Sequence, residues 1–71
     1  MRLISFAKLI REDMGMTQRK VAEKLGWKLR RYASYERLER EPNVSDALQI
    51  AAVLNVPVEI IWRVVDKKTG L

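Results

Sequence analysis

The chain contains no cysteine and no histidine. Without cysteine it has no disulfide framework, no thiolate nucleophile and no cysteine-based zinc site. Without histidine it lacks the commonest general base, the usual partner of a catalytic serine and the commonest transition-metal ligand. No metal or other cofactor is expected. No apolar run approaches the ~20 residues needed to span a membrane. The stretch Met1–Phe6 is short and is soon followed by Lys8 and Arg11, unlike a signal peptide. No internal repeat, low-complexity stretch or linker is visible. With neither a targeting segment nor cysteine, the expected compartment is a reducing cytoplasm.

What is present is a chain of 71 residues, 48% hydrophobic and 32% charged. That profile belongs to one small soluble globular domain. A chain this short buries only ~60% of its extended surface, so its stability is modest and a partner subunit would help it. The net charge is +5 and the pI is near 10.0. Residues 17–38 hold seven basic residues (Arg19, Lys20, Lys24, Lys28, Arg30, Arg31, Arg37) against Glu23 and Glu36, so the whole excess lies in about a third of the chain. A local basic field of this kind is the footprint of a phosphate-backbone binder. A merely solvated surface is the alternative that composition leaves open.

Periodicity predicts helices throughout and no convincing strand. Leu3, Phe6, Ala7, Ile10 and Met14 form a helical stripe that Gly15 stops. Thr17 caps a second helix whose buried face is Val21, Ala22 and Leu25, and Gly26 ends it. A third helix runs from about Lys28 to Arg37, with Tyr32 and Tyr35 inward and Trp27 at the turn. After Pro42, Asn43 caps a fourth helix, with Asp46 completing a near capping box. Its apolar face is read as Val44, Ala47, Leu48, Ala51 and Leu54, and Asn55 suits a left-handed end. Pro57 opens a short fifth helix bearing Val58, Ile61 and Trp62. The expectation is an all-α domain over residues 1–66, a compact bundle of five short helices, followed by a flexible tail over 67–71. Helices two and three, joined by a tight turn at Gly26, have helix-turn-helix proportions. Ala22, four residues before that glycine, is small enough for the two helices to approach closely.

The segment Thr17-Gln18-Arg19-Lys20-Val21-Ala22-Glu23-Lys24-Leu25-Gly26 resembles the second helix and turn of the XRE family, the DNA-binding domains of phage repressors and Cro proteins. Arg11, Tyr35-Glu36-Arg37, Pro42-Asn43-Val44, Ile50–Pro57 and Glu59–Trp62 follow in register, so the likeness spans roughly residues 3–62. The resemblance implies a lambda-repressor-like fold whose third helix enters the major groove. It assigns base contacts to Leu29, Arg30, Arg31 and Ser34. Backbone contacts fall to Thr17, Gln18, Lys28, Arg37 and Asn43, and Arg11 with Glu36 forms an internal salt bridge. Arginine can donate two hydrogen bonds to guanine, and leucine can meet a thymine methyl. Adjacent Arg30 and Arg31 point about 100° apart, so they cannot both face the groove floor; Arg30 is favoured for a base, and Arg31 for a base or a flanking phosphate.

Departures from the family pattern are also visible. Leu38 stands where the family usually has glycine, and a leucine with positive φ is costly, so the third helix is expected to run on or end differently. Glu39 and Glu41 replace basic residues in the following loop and would weaken backbone contact unless they pair with Arg37 or Arg40. The long, basic Lys28-Leu29-Arg30-Arg31 suggests G-containing sites or strong nonspecific affinity.

These readings lead to an expected function. The chain would be a sequence-specific regulator of double-stranded DNA, a Cro-like repressor binding a palindromic operator as a homodimer in the cytoplasm or nucleoid of a prokaryotic or phage-infected cell. Dimer contacts are expected from Ile60, Arg63, Val64 and Val65. A separate ligand-sensing domain has no room, so no small-molecule ligand is expected, and no membrane partner either. An enzyme is not expected, because the carboxylate pairs Glu12-Asp13 and Glu39/Glu41 lie on segments that imply no pocket. The alternative is a protein-interaction module of the same fold, antirepressor- or antitoxin-like.

Overall fold

Two short segments far apart in the sequence pair with each other. In the computed structural model, which describes residues 2–65, β1 (Arg2–Ser5) and β2 (Trp62–Val65) form a two-stranded antiparallel sheet, with Leu3 opposite Val64 and Ser5 opposite Trp62. Between the strands lie α1 (Ala7–Asp13), α2 (Gln18–Leu25), α3 (Leu29–Glu36), α4 (Val44–Leu54) and α5 (Val58–Ile61). The sheet corrects two expectations: the first helix starts at Ala7 rather than near Leu3, and Trp62 belongs to a strand. Each strand has only four residues and pairs across nearly the whole chain, so no local alternation or hairpin turn announces it. The Phe6 N–H donates to the Ile61 carbonyl at 2.7 Å, continuing the pairing into the start of α1. The expected tail, 67–71, lies outside the described residues, as does Asp66.

One backbone device ends α1 to α4. A residue of positive φ (Gly15, Gly26, Leu38, Asn55) follows each helix. The next N–H (Met16, Trp27, Glu39, Val56) reaches back to a carbonyl five residues earlier at 2.9–3.2 Å. This is the Schellman arrangement, which satisfies carbonyls that the helix end would otherwise orphan. Met16, Trp27 and Val56 also pack against the core just past the cap. At α3 the roles change: Glu39 occupies that place, and Leu38 itself packs inward while holding φ at 57°. The third helix therefore ends in the family's place despite the leucine, and packing of the isobutyl group offsets the left-handed strain.

The core is built from Val21, Tyr32, Tyr35, Ile50, Leu54 and Ile61, all essentially inaccessible. Ala22 is buried, as close approach of α2 and α3 requires. On α4 the inward face is Asp46, Ala47, Ile50, Ala51 and Leu54. Val44 and Leu48, expected inside, are exposed, because α4 turns the face carrying Asp46, Ala47, Ile50, Ala51 and Leu54 toward its neighbours, α2 and α5 among them. The Tyr32 hydroxyl is buried near Glu36 and Arg11 without a hydrogen-bond partner among the described residues, and burial raises its pKa, so it stays protonated.

Candidate nucleic-acid interface

Three residues, Gly26-Trp27-Lys28, separate α2 from α3. Gly26 takes φ 73°, and the Trp27 N–H closes on the Ala22 carbonyl at 2.9 Å, fixing the angle between the helices. Thr17 Oγ1 accepts from the Lys20 N–H at 3.0 Å and so caps α2. Lys28 precedes α3 in an extended conformation and makes no side-chain cap, since its ammonium can donate but not accept.

α3 divides cleanly. Tyr32, Ala33, Ser34, Tyr35 and Glu36 are buried, Leu29 is half-buried, and Arg30 and Arg31 are exposed. Arg30 makes no salt bridge among the described residues. Arg30, Ser34 and Arg37 follow one stripe at helical spacing. Ser34 is only 7% exposed, less open than expected, and its hydroxyl donates to the Arg31 carbonyl at 2.9 Å. Clefts flank the helix on both sides. One, about 550 Å³, is lined by Lys8, Thr17, Gln18, Arg19, Leu29 and Arg37, among others. The other, about 400 Å³, is lined by Lys28, Arg30, Arg31, Ser34, Glu39 and Arg40.

The supports beneath this surface are ionic. Arg11 Nε and Nη2 donate to the two carboxylate oxygens of Glu36 at 2.8 and 3.0 Å, and Arg11 Nη1 donates to the Met16 carbonyl at 2.7 Å. Gln18 Nε2 adds a bond to Glu36 Oε1 at 3.0 Å. Burial alone would raise the Glu36 pKa, but the bonds from Arg11 and Gln18 prevail and hold it below the usual glutamate value. The start of α2, the end of α1 and the end of α3 are thereby locked together.

A second ionic cluster has no counterpart in the sequence reading. Arg31 Nη2 lies 2.8 and 2.9 Å from the two oxygens of Asp46, and the guanidinium stacks 4.1 Å from the centre of the Trp27 ring. The Tyr35 hydroxyl donates to Asp46 Oδ2 at 2.7 Å, and Tyr35 meets Trp27 edge-on. The Tyr35 bond and Arg31 outweigh desolvation and lower the Asp46 pKa. Only half of the predicted capping box forms: the Asp46 N–H donates to Asn43 Oδ1 at 2.7 Å, while the Asp46 carboxylate turns to Arg31 and Tyr35. The sequence signal is the acid three residues after Asn43, whose spacing fits a local cap equally well.

In the loop after α3, Glu39 pairs with Arg37 at 3.3 Å with both side chains exposed, and the Arg40 guanidinium sits 5.3 Å over the Tyr35 ring. The expected dimer residues lie elsewhere. Ile60 is partly exposed on α5, Val64 is open on β2, Val65 is half-buried, and Arg63 stands 5.4 Å over the Phe6 ring.

The two-helix unit, its glycine turn and the exposed Arg30 and Arg31 in the first turn of its second helix are the arrangement of a major-groove reader. A family model described as Helix-turn-helix matches residues 8–61. The chain is a helix-turn-helix protein of the XRE family. No curated protein matches it. As an XRE-family helix-turn-helix regulator it binds double-stranded DNA, and the family is one of DNA-binding regulation rather than catalysis. Among the described residues, no helix is long and apolar enough to cross a membrane.

Proposed function

We propose that this helix-turn-helix protein is a sequence-specific repressor of the Cro type, acting as a homodimer on an operator whose half-sites lie about one helical turn apart. The observation that carries the reading is Arg30: exposed near the start of α3, without a carboxylate partner among the described residues, and lining one cleft with Lys28 and Arg40. Arg30 reads a guanine and Leu29 meets a thymine methyl, while Ser34, buried with its hydroxyl bonded to the Arg31 carbonyl, backs the reading face and could reach a base only by giving up that bond. Thr17, Gln18, Lys28, Arg37 and Asn43 hold phosphates. Thr17 and Asn43 spend their side-chain oxygens on helix caps, which leaves the hydroxyl hydrogen and the amide group as donors. Ile60, Arg63, Val64 and Val65 supply the contact between copies. Repression follows from occupying a promoter, in the cytoplasm where the nucleoid lies.

Selection from random duplexes tests this reading. It should enrich a two-fold symmetric site with guanine in each half, bound with an affinity that falls steeply with salt. Arg30→Ala should lose roughly 5- to 150-fold in discrimination at that guanine. Binding that ignores salt, or a selection that enriches nothing, rejects it and favours a protein-interaction role for the same fold.

A further inference from the structure

Arg30 and Arg31 are neighbours of the same chemistry at the head of the same helix, yet their surroundings differ. Arg30 has no ionic partner among the described residues. Arg31 is held from two sides, by the Asp46 carboxylate and by the Trp27 ring. Asp46 is itself immobilised. It is buried, it accepts from the Tyr35 hydroxyl, and its backbone N–H is tied to Asn43. It also sits in the first turn of α4, where the helix dipole favours a carboxylate. If Arg31 swung out to reach a base, it would strip this buried carboxylate of its cation, a costly rearrangement.

We infer that Asp46 is a specificity-determining residue: by clamping Arg31 against Trp27 it withholds that arginine from the floor of the major groove, so that Arg30 alone reads guanine. The inference rests on the DNA-reading role of α3 proposed above. The clamp does not remove Arg31 from the interface. Both bonds to Asp46 come from Nη2, the Arg31 side chain remains 45% exposed, and Nε and Nη1 have no hydrogen-bond partner among the described residues. Those donors suit a phosphate beside the reading site, a contact that adds affinity without sequence preference. Asp46 touches no base in this scheme; it is a positioning residue acting through Arg31.

The test compares the wild type, Arg31→Ala, Asp46→Asn and the double variant by selection from random duplexes and by titration over a salt series. Arg31→Ala should select the wild-type consensus, with a log–log salt slope shallower by about 1. Asp46→Asn releases Arg31 and should specify an additional G·C pair in each half-site, roughly fivefold or more over the other pairs. That preference should vanish in the double variant. Loss of a specified base pair in Arg31→Ala overturns the inference. So does a folded Asp46→Asn, verified by circular dichroism, that keeps the wild-type consensus. If Asp46→Asn does not fold, the consensus of Arg31→Ala still decides. A wild type that enriches no sequence defeats the DNA-reading role first and this inference with it. A wild type with a clear consensus, shared by a folded Asp46→Asn, defeats the inference alone.

Discussion

Arg11 on α1 and Glu36 at the end of α3, 25 residues apart in the chain, meet through two hydrogen bonds of 2.8 and 3.0 Å in a buried setting. Removing one partner of such a pair strands the other charge, and the loss exceeds the net worth of the intact pair. Arg11→Ala should therefore cost about 3–5 kcal/mol of unfolding free energy. Arg11→Met combined with Glu36→Leu should cost less than Arg11→Ala alone. Urea denaturation of the three proteins checks both statements; a loss below ~1 kcal/mol in Arg11→Ala contradicts the first.

Stability should also depend on pH on the acid side. The folded-state pKa of Glu36 lies below its ordinary 4.5, and that of Asp46 below its ordinary 3.8. For a lowered pKa the unfolded chain binds protons first, so the contribution is complete above the ordinary value and is lost as the pH falls from there through the folded value. Urea midpoints should be flat from pH 7 to about 5 and fall below about 4.5. Glu36→Gln should start lower at neutral pH and show a shallower acid decline.

Leu38 makes a prediction about sign. At φ 57° any side chain bears strain, which for an L-residue is about 1–2 kcal/mol. Alanine keeps the strain and loses the packing, whereas glycine loses the packing and relieves the strain. Leu38→Gly should therefore be more stable than Leu38→Ala by about 1 kcal/mol, the reverse of the order inside a helix. Thermal melts of both variants measure the difference.

The acidic loop after α3 should act as a brake on DNA affinity. Glu39 holds Arg37 in an exposed pair that contributes at most about 1 kcal/mol to folding. Glu39→Gln should leave stability nearly unchanged and tighten DNA binding severalfold at low salt. The gain should shrink as salt screens the charges. A gel-shift series at two ionic strengths reads it, and weaker binding by Glu39→Gln would show that the carboxylate supports the interface.

Most helix boundaries were legible because their causes are local. Thr17 and Asn43 cap the N–H three residues on, and Gly15, Gly26 and Asn55 take the left-handed turn that their chemistry permits. Leu38 departs from the sequence expectation for a related reason. Its local preference argues against positive φ, and only the core it packs into overrides that preference. The exposure of Val44 and Leu48 was missed because a helix rich in apolar residues carries several plausible faces, and neighbouring helices choose among them. On the site, the Arg11–Glu36 pair was suggested by family likeness, whereas the grip of Asp46 on Arg31 crosses 15 residues and a loop.

By itself the sequence determined the number of helices, the glycine turn between α2 and α3, and the concentration of positive charge around them, because each depends on residues within a few positions of one another. Tertiary structure alone decided that Arg2–Ser5 and Trp62–Val65 pair as strands and that, among the described residues, Arg30 has no ionic partner while Arg31 is held. Those outcomes depend on which distant groups are brought within hydrogen-bonding reach, and a carboxylate 15 residues away acts on an arginine only after folding has brought the two together.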